Sequence, residues 1–358
     1  VSLGRFARTG RRRLRRRAAA PAEPILLESL SSAVSAQKLC EELKGRGFAV
    51  VRCPEALAQR SKALAWLEAL ASEDSDQRRA TLAEAGAVQS EVRLEEVSFP
   101  RRLARVDVIP GLQVGGGNSG LCAVASLADS LHEVALRCLV AISDVEELWD
   151  LPALVGGRET LERAKEPSIL RANLYPPDDS NGSSAGPCWH CDLGLLTVAP
   201  AGSWPALMAS PFHEAVGSNS FLEELLDTER DVLVFAGTTL AHASGGGYSA
   251  LVHGVSTARL KREAGSAGRV SIPYFLRARQ DAIVRLPTGL GLGLGCLFPA
   301  AVEPETVEAS DEPLLDLRRF HRDVFGRLCA RGQVVPLKAL AGMATFQETI
   351  ESLKYHAT

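Results

Sequence analysis

The sequence has no apolar run long enough to cross a bilayer. Its nearest candidate, Leu286 to Val302, is uncharged but is interrupted by Pro287, by Pro299 and by four alternating glycines from Gly289 to Gly295. A spanning helix needs about 20 apolar residues, so the stretch reads as a loop and no membrane partner is expected. Cysteine is sparse. Eight in 358 residues cannot make the dense disulfide framework of a small secreted scaffold, and reduced thiols in an intracellular protein are the simpler reading. A phosphate loop is also missing: Gly115-Gly116-Gly117 lacks the flanking strand and helix such a loop needs and reads as a flexible turn. No internal repeat stands out.

Acidic residues are absent from residues 1–22, which carry eight arginines between Arg5 and Arg17. The formal net charge is −3, and subtracting +8 from it leaves −11 for the remainder. The folded body therefore has no general nucleic-acid footprint. The Arg-rich stretch reads as a disordered tail, a transit segment or a nuclear-import-like patch. The chain opens on Val1 rather than Met, which leaves its natural start undetermined. The expected location is intracellular: cytoplasmic, or organellar if the arginines form a transit segment.

At 46% hydrophobic and 23% charged, the chain can bury a sizeable core. Helical spacing of apolar residues marks Ser31 to Gly45, ended by that glycine, then Ala56 to Ser72 and Leu121 to Trp149. Asp74 to Gly120 gives weak, mixed signals. Strand character begins at Ser168–Tyr175 and ends at Pro176-Pro177, followed by a polar loop, Asp178 to Gly186. Asp231–Gly237, Tyr248–Ser256 and Arg269–Leu276 are further strands, with a glycine turn at Gly245–Gly247 and a basic loop over Ala258–Gly268. Short strands separated by turn signals point to a sandwich or barrel. Asp311 to Arg331 reads as a closing helix. Helix-rich sequence thus flanks a strand-rich centre.

Within that centre lies Cys188-Trp189-His190-Cys191-Asp192, running into Leu195-Leu196-Thr197. On an extended chain, positions two apart share a face, so His190 and Asp192 would stand in chelating position. Alone, the pair reads better as a core histidine beside a turn aspartate. A third ligand is available from His242, at the edge of a glycine turn, or from His253, in an apolar strand context. Two imidazoles and one carboxylate on one face of an octahedron leave three positions open, which suits Fe(II) with a chelating co-substrate and dioxygen; a closed tetrahedral zinc site leaves no such room. Arg269 and Ser271 share a strand face further on. A guanidinium fork beside a hydroxyl suits a carboxylate, and such a ligand would account for a single arginine in an apolar pocket.

At these residues the chain resembles the 2-oxoglutarate- and Fe(II)-dependent dioxygenases, specifically the isopenicillin N synthase-like group. Five segments match in order. They are Asn173-Leu174-Tyr175-Pro176, His190-Cys191-Asp192 with Leu195-Leu196-Thr197, Asp231–Gly237, Gly246–His253, and Arg269-Val270-Ser271. The resemblance implies a double-stranded β-helix (jelly-roll) core with helical flanks, mainly β. It implies iron at His190, Asp192 and His253, with His242 left as a pocket-edge residue. It implies that Arg269 and Ser271 hold the distal carboxylate of 2-oxoglutarate, with Tyr175 and Asn173 facing it. Gly254, where the family has arginine, and Thr238, where it has aspartate, are departures, as is a long loop before Arg269.

The implied organisation is a tail over 1–24, a helical N-terminal region over 25–165, the oxygenase core over 166–280, and a C-terminal loop and helices over 281–358. The implied activity is hydroxylation or desaturation of a small organic substrate by dioxygen, with release of succinate and CO2 from 2-oxoglutarate and ascorbate as a reductant. The alternatives are an Fe(II) oxidase that does not use 2-oxoglutarate, a non-catalytic binding protein on the same fold, and a thiol–disulfide oxidoreductase built on Cys188 and Cys191. The last needs a helix N-terminus to lower the thiol pKa, and the sequence after Cys191 reads as a strand. Neither the substrate nor the oligomeric state follows from the sequence.

Overall fold

A computed structural model describes residues 23–87, 91–97, 103–112, 114, 119–146, 151–155, 168–175, 190–209, 221–244, 247–256 and 268–278. Of 283–285 and 314–316 it describes the backbone. The expected Arg-rich tail up to residue 22, the Gly115–Gly117 turn, the loops over 178–186 and 258–267, and the glycine-rich run over 286–300 lie outside the described residues. No helix among the described residues is long and apolar enough to cross a membrane.

Four helices line one side of the fold. α1 (Ala33–Arg46) runs past Gly45 and stops at Gly47, whose φ of 80° is the left-handed cap glycine adopts readily. α2 (Arg60–Ser72) is followed by α3 (Ser75–Glu84), which starts in a reciprocal capping box between Asp74 and Gln77. α4 (Ser119–Glu146) buries Leu121, Val124, Leu127, Leu131, Leu139 and Ile142. It follows the glycine triplet directly, contrary to the sequence expectation. The strand before that triplet is antiparallel to both its neighbours, unlike the parallel strand of a phosphate-binding crossover.

The strands are β1 (Ile25–Leu26), β2 (Phe48–Arg52), β3 (Val92–Val97), β4 (Leu103–Val108), β5 (Ile169–Tyr175), β6 (Leu196–Pro200), β7 (Leu207–Ala209), β8 (Asp231–Ala236), β9 (His253–Val255), β10 (Arg269–Ser271) and β11 (Tyr274–Leu276). Nine of these make one sheet in the order β1-β2-β8-β6-β11-β5-β4-β3, with β10 also paired to β5. β7 and β9 form a separate ribbon. β12 (Ile283–Arg285) pairs with β13 (Leu314–Asp316). The latter lies inside the stretch expected to be a closing helix and is a strand; the rest of that stretch lies outside the described residues.

The two faces of the large sheet do different work, as the period of two requires. Ala49, Val106, Ala172, Val198 and Val234 face the helices and share one apolar core with α1, α2 and α4. A smaller core, including Val50, Ala199, Leu233, Phe235 and Leu251, lies on the opposite face. The architecture is mainly β with flanking helices, the jelly-roll arrangement expected. β3 and β4, which the sequence reading missed, add a large edge to it.

Candidate metal centre and its cavity

One backbone pairing brings the two expected imidazoles together. His190 N–H donates to the His253 carbonyl at 3.0 Å, and His253 N–H donates back to His190 at 2.9 Å. The rings stand 4.5 Å apart between centroids. His190 is therefore an isolated bridge residue, and the strand expected through it begins only at Leu196, with β6.

Asp192 sits where the chain bends back toward β6. Thr238 N–H donates to its carbonyl at 2.8 Å, and the Thr197 hydroxyl donates to its Oδ2 at 2.7 Å. The bend depends on two glycines. A Cβ at Gly237 would collide with the Gly194 carbonyl, and one at Gly194 would stand 2.5 Å from the Leu276 carbonyl.

Nε2 of His190 lies 3.8 Å from Asp192 Oδ1, and Nε2 of His253 lies 3.7 Å from Oδ2. One ligand atom from each of the three residues falls within 4.8 Å of the others. Ligands about 2.1 Å from one small divalent ion are about 3 to 4 Å apart, so the set fits such an ion. His253 Nδ1 is 3.0 Å from the Leu251 carbonyl; donating there leaves the Nε2 lone pair for a metal. His253 and Asp192 are buried, while His190 keeps 32% of its side chain exposed. His242 lies on the short helix Thr238–Ala243, and its side chain is outside the described residues.

Arg269 is 1% exposed. Its Nη2 donates to both oxygens of Glu223, at 2.9 and 3.1 Å, and its Nε donates to the Trp204 carbonyl at 3.1 Å. Its Nη1 is buried with no hydrogen-bond partner. Tyr175 and Trp204 present their rings to the guanidinium at 5.5 and 5.9 Å. Ser271 lies beside it on β10 and accepts from Asn173 Nδ2 at 3.3 Å.

The expectation of one arginine in an apolar pocket is thereby corrected. Glu223, a carboxylate in an acidic Leu-Glu-Glu-Leu turn that reads as surface, is the built-in counter-ion. The amides of Gly202, Ala206 and Leu207 also donate to it, at 2.6 to 2.8 Å. Arg105, Arg171 and Arg277 line the same cavity. Thr197 lies in a segment matched in the sequence, where no role was given to it; no sequence signal marked Glu223 as part of the site.

Cys191 is buried, with its sulfur 3.8 Å from the Ala250 carbonyl. Burial, reinforced by the Asp192 charge, pushes its thiol pKa up, the reverse of a catalytic thiol. Cys188 lies outside the described residues.

His190, Asp192, His253, Arg269, Ser271, Tyr175 and Asn173 all line one cavity. Its wall includes Leu103, Leu207, Phe235 and Phe275.

No family model and no curated protein matches the chain. Solved structures do. A Caulobacter crescentus chain that carries the 2OG-Fe(II) oxygenase family label is 17% identical, with a TM-score of 0.56 over 85% of this chain and 99% of that one. Rice dioxygenase for auxin oxidation is 16% identical, with a TM-score of 0.56 over 86% and 95%. A full-length Neurospora crassa protein, crystallised in complex with alpha-KG and thymine, is 14% identical, with a TM-score of 0.53 over 87% and 98%. At these identities the likeness is one of fold.

Proposed function

We propose that the chain is an Fe(II)- and 2-oxoglutarate-dependent oxygenase that hydroxylates or desaturates a small organic substrate, releasing succinate and CO2. The observation that carries this reading is a single cavity holding both a His–Asp–His ligand set and a buried guanidinium with one unpartnered N–H pair. The solved structures that share the fold include a complex with alpha-KG, which favours the same reading.

His190, Asp192 and His253 would hold the iron, and the bound iron with 2-oxoglutarate would supply the activation of dioxygen. Arg269 would meet the distal carboxylate of 2-oxoglutarate through Nη1, with Ser271 and Tyr175 beside it. Asn173 would orient the Ser271 hydroxyl. Thr197 would fix the Asp192 carboxylate by holding Oδ2. Leu207, Phe235 and Phe275 would keep water from the reacting carbon.

One observation favours a second reading. Arg269 already has a carboxylate partner, Glu223, so an iron oxidase that takes no 2-oxoglutarate is the competing case. Succinate decides between them. The chain, loaded with Fe(II) and ascorbate and given air and a substrate library, is expected to form succinate only when 2-oxoglutarate is present. The accompanying product should be about 16 Da heavier or about 2 Da lighter than its parent, as addition of one oxygen or loss of two hydrogens requires. A product that forms without 2-oxoglutarate contradicts the proposal.

A further inference from the structure

The cavity holds a second cationic place besides the His–Asp–His set and Arg269. β4 carries it. Val106 and Val108 of β4 point to the helices, so Arg105 and Asp107 point to the cavity face. Strand register sets Arg105 opposite Asn173 of β5, and Asn173 opposite Ser271 of β10. Arg105 thus stands two strands from Ser271, about 10 Å along the hydrogen-bonding direction.

Arg105 is 7% exposed. Its Nε is buried with no hydrogen-bond partner. Its nearest carboxylate, Glu95, is 3.5 Å from Nη1 and 36% exposed. Asp107 is committed elsewhere: Arg171 donates to it at 2.7 and 2.8 Å, and Arg93 at 2.8 Å. Burial, then the charge of Arg171, push the Arg105 pKa down, with Glu95 and Asp107 opposing. A buried guanidinium with a spare donor, beside a second guanidinium and paired only with a partly exposed carboxylate, is incomplete as a purely structural element.

We propose that Arg105 is the substrate's anion anchor, and that the substrate of this site is a small carboxylic acid with an apolar body. This rests on the oxygenase reading for its word substrate, though not for the binding itself. The carboxylate would meet Arg105, with Arg171 adding charge behind it. The apolar body would lie along Leu103 and Phe275 toward the His–Asp–His cluster. The acid would supply an acceptor for Nε, which Glu95, paired with Nη1 at 3.5 Å, leaves unpartnered.

The test is calorimetry on the full chain, loaded with Mn(II) and 2-oxoglutarate so that nothing turns over. The probes are hexanoate, benzoate, phenylacetate and 3-phenylpropionate, each against its primary amide. At least one acid is expected to bind tenfold or more tightly than its amide. Arg105→Gln should erase that preference while leaving 2-oxoglutarate affinity within about twofold, and Arg105→Lys, which keeps charge but loses the fork, should fall between. If Arg105→Gln does not fold, Arg105→Lys against wild type carries the comparison. The proposal is overturned if every pair binds alike or fails to bind, or if the preference survives both substitutions. Should 2-oxoglutarate fail to bind while an acid preference sensitive to Arg105 persists, the oxygenase reading falls and the anion site stands.

Discussion

At the scale of single residues, the proposed site divides into side chains that would touch the ion or co-substrate and side chains that would aim them. Asp192→Ala should abolish metal binding without lowering the melting temperature, since it removes one carboxylate from the metal site. Thr197→Val keeps the shape of a buried side chain but removes the hydroxyl at Asp192 Oδ2. Metal affinity should drop about 10- to 100-fold, as read by competition against a chelator, with the melting curve little changed. Glu223→Gln breaks a buried ion pair and should destabilise by about 3–5 kcal/mol. If Arg269 takes the distal carboxylate of 2-oxoglutarate, that co-substrate should raise the melting temperature more in Glu223→Gln than in wild type. An equal rise would show that the guanidinium does not bind it.

The residues that the structure brings together around the cavity were legible in the sequence because each belongs to a local pattern. His190 and Asp192 are two apart, as are Arg269 and Ser271, and His253 follows an apolar run. The residues that aim were not. Glu223 reaches Arg269 across 46 positions of chain, and its surface-like turn gives no hint of the amides that converge on it.

At the scale of elements, the His–Asp–His set depends on a close crossing between the bend at Gly194 and the end of β8. Gly237→Ala would drive a Cβ into the Gly194 carbonyl. Overpacking of this kind typically costs about 1–3 kcal/mol. Here it should also weaken metal binding, because Thr238 N–H holds the Asp192 carbonyl. The β4–β5 pair adds a pH dependence. Burial alone would raise the Asp107 pKa, but Arg171 and then Arg93 outweigh it and hold the carboxylate well below its usual range. A depressed folded value means that this stabilisation is complete above the unfolded carboxylate pKa of about 3.9 and is lost as pH falls through the lower folded value. Denaturant midpoints should therefore fall on the acid side in wild type. That limb should be shallower in Asp107→Asn, which starts less stable at neutral pH.

β3 and β4 escaped the sequence reading for a related reason. Their charged residues suggest solvent, yet every residue of β4 is buried. Arg105 lines a cavity whose existence depends on β5 and β10, far along the chain. α1, α2 and α4, whose periodicity is set by one continuous apolar face each, were placed to within a few residues at most ends.

At the scale of the whole molecule, the large sheet separates two tasks. One face packs on helices and carries the stability; the other bears a cavity lined by the His–Asp–His set and by several arginines. Strand-rich sequence between helical flanks conveyed the first arrangement. The second is a property of register, which composition does not report. The measurement closest to the central claim is an anaerobic titration of the Fe(II)-loaded full chain with 2-oxoglutarate, followed by admission of air and assay of succinate. The predicted result is one ion and one 2-oxoglutarate bound per chain, succinate formed on contact with dioxygen, and loss of all three in Asp192→Ala. Binding of 2-oxoglutarate that is indifferent to the iron, or succinate that persists in Asp192→Ala, would contradict it.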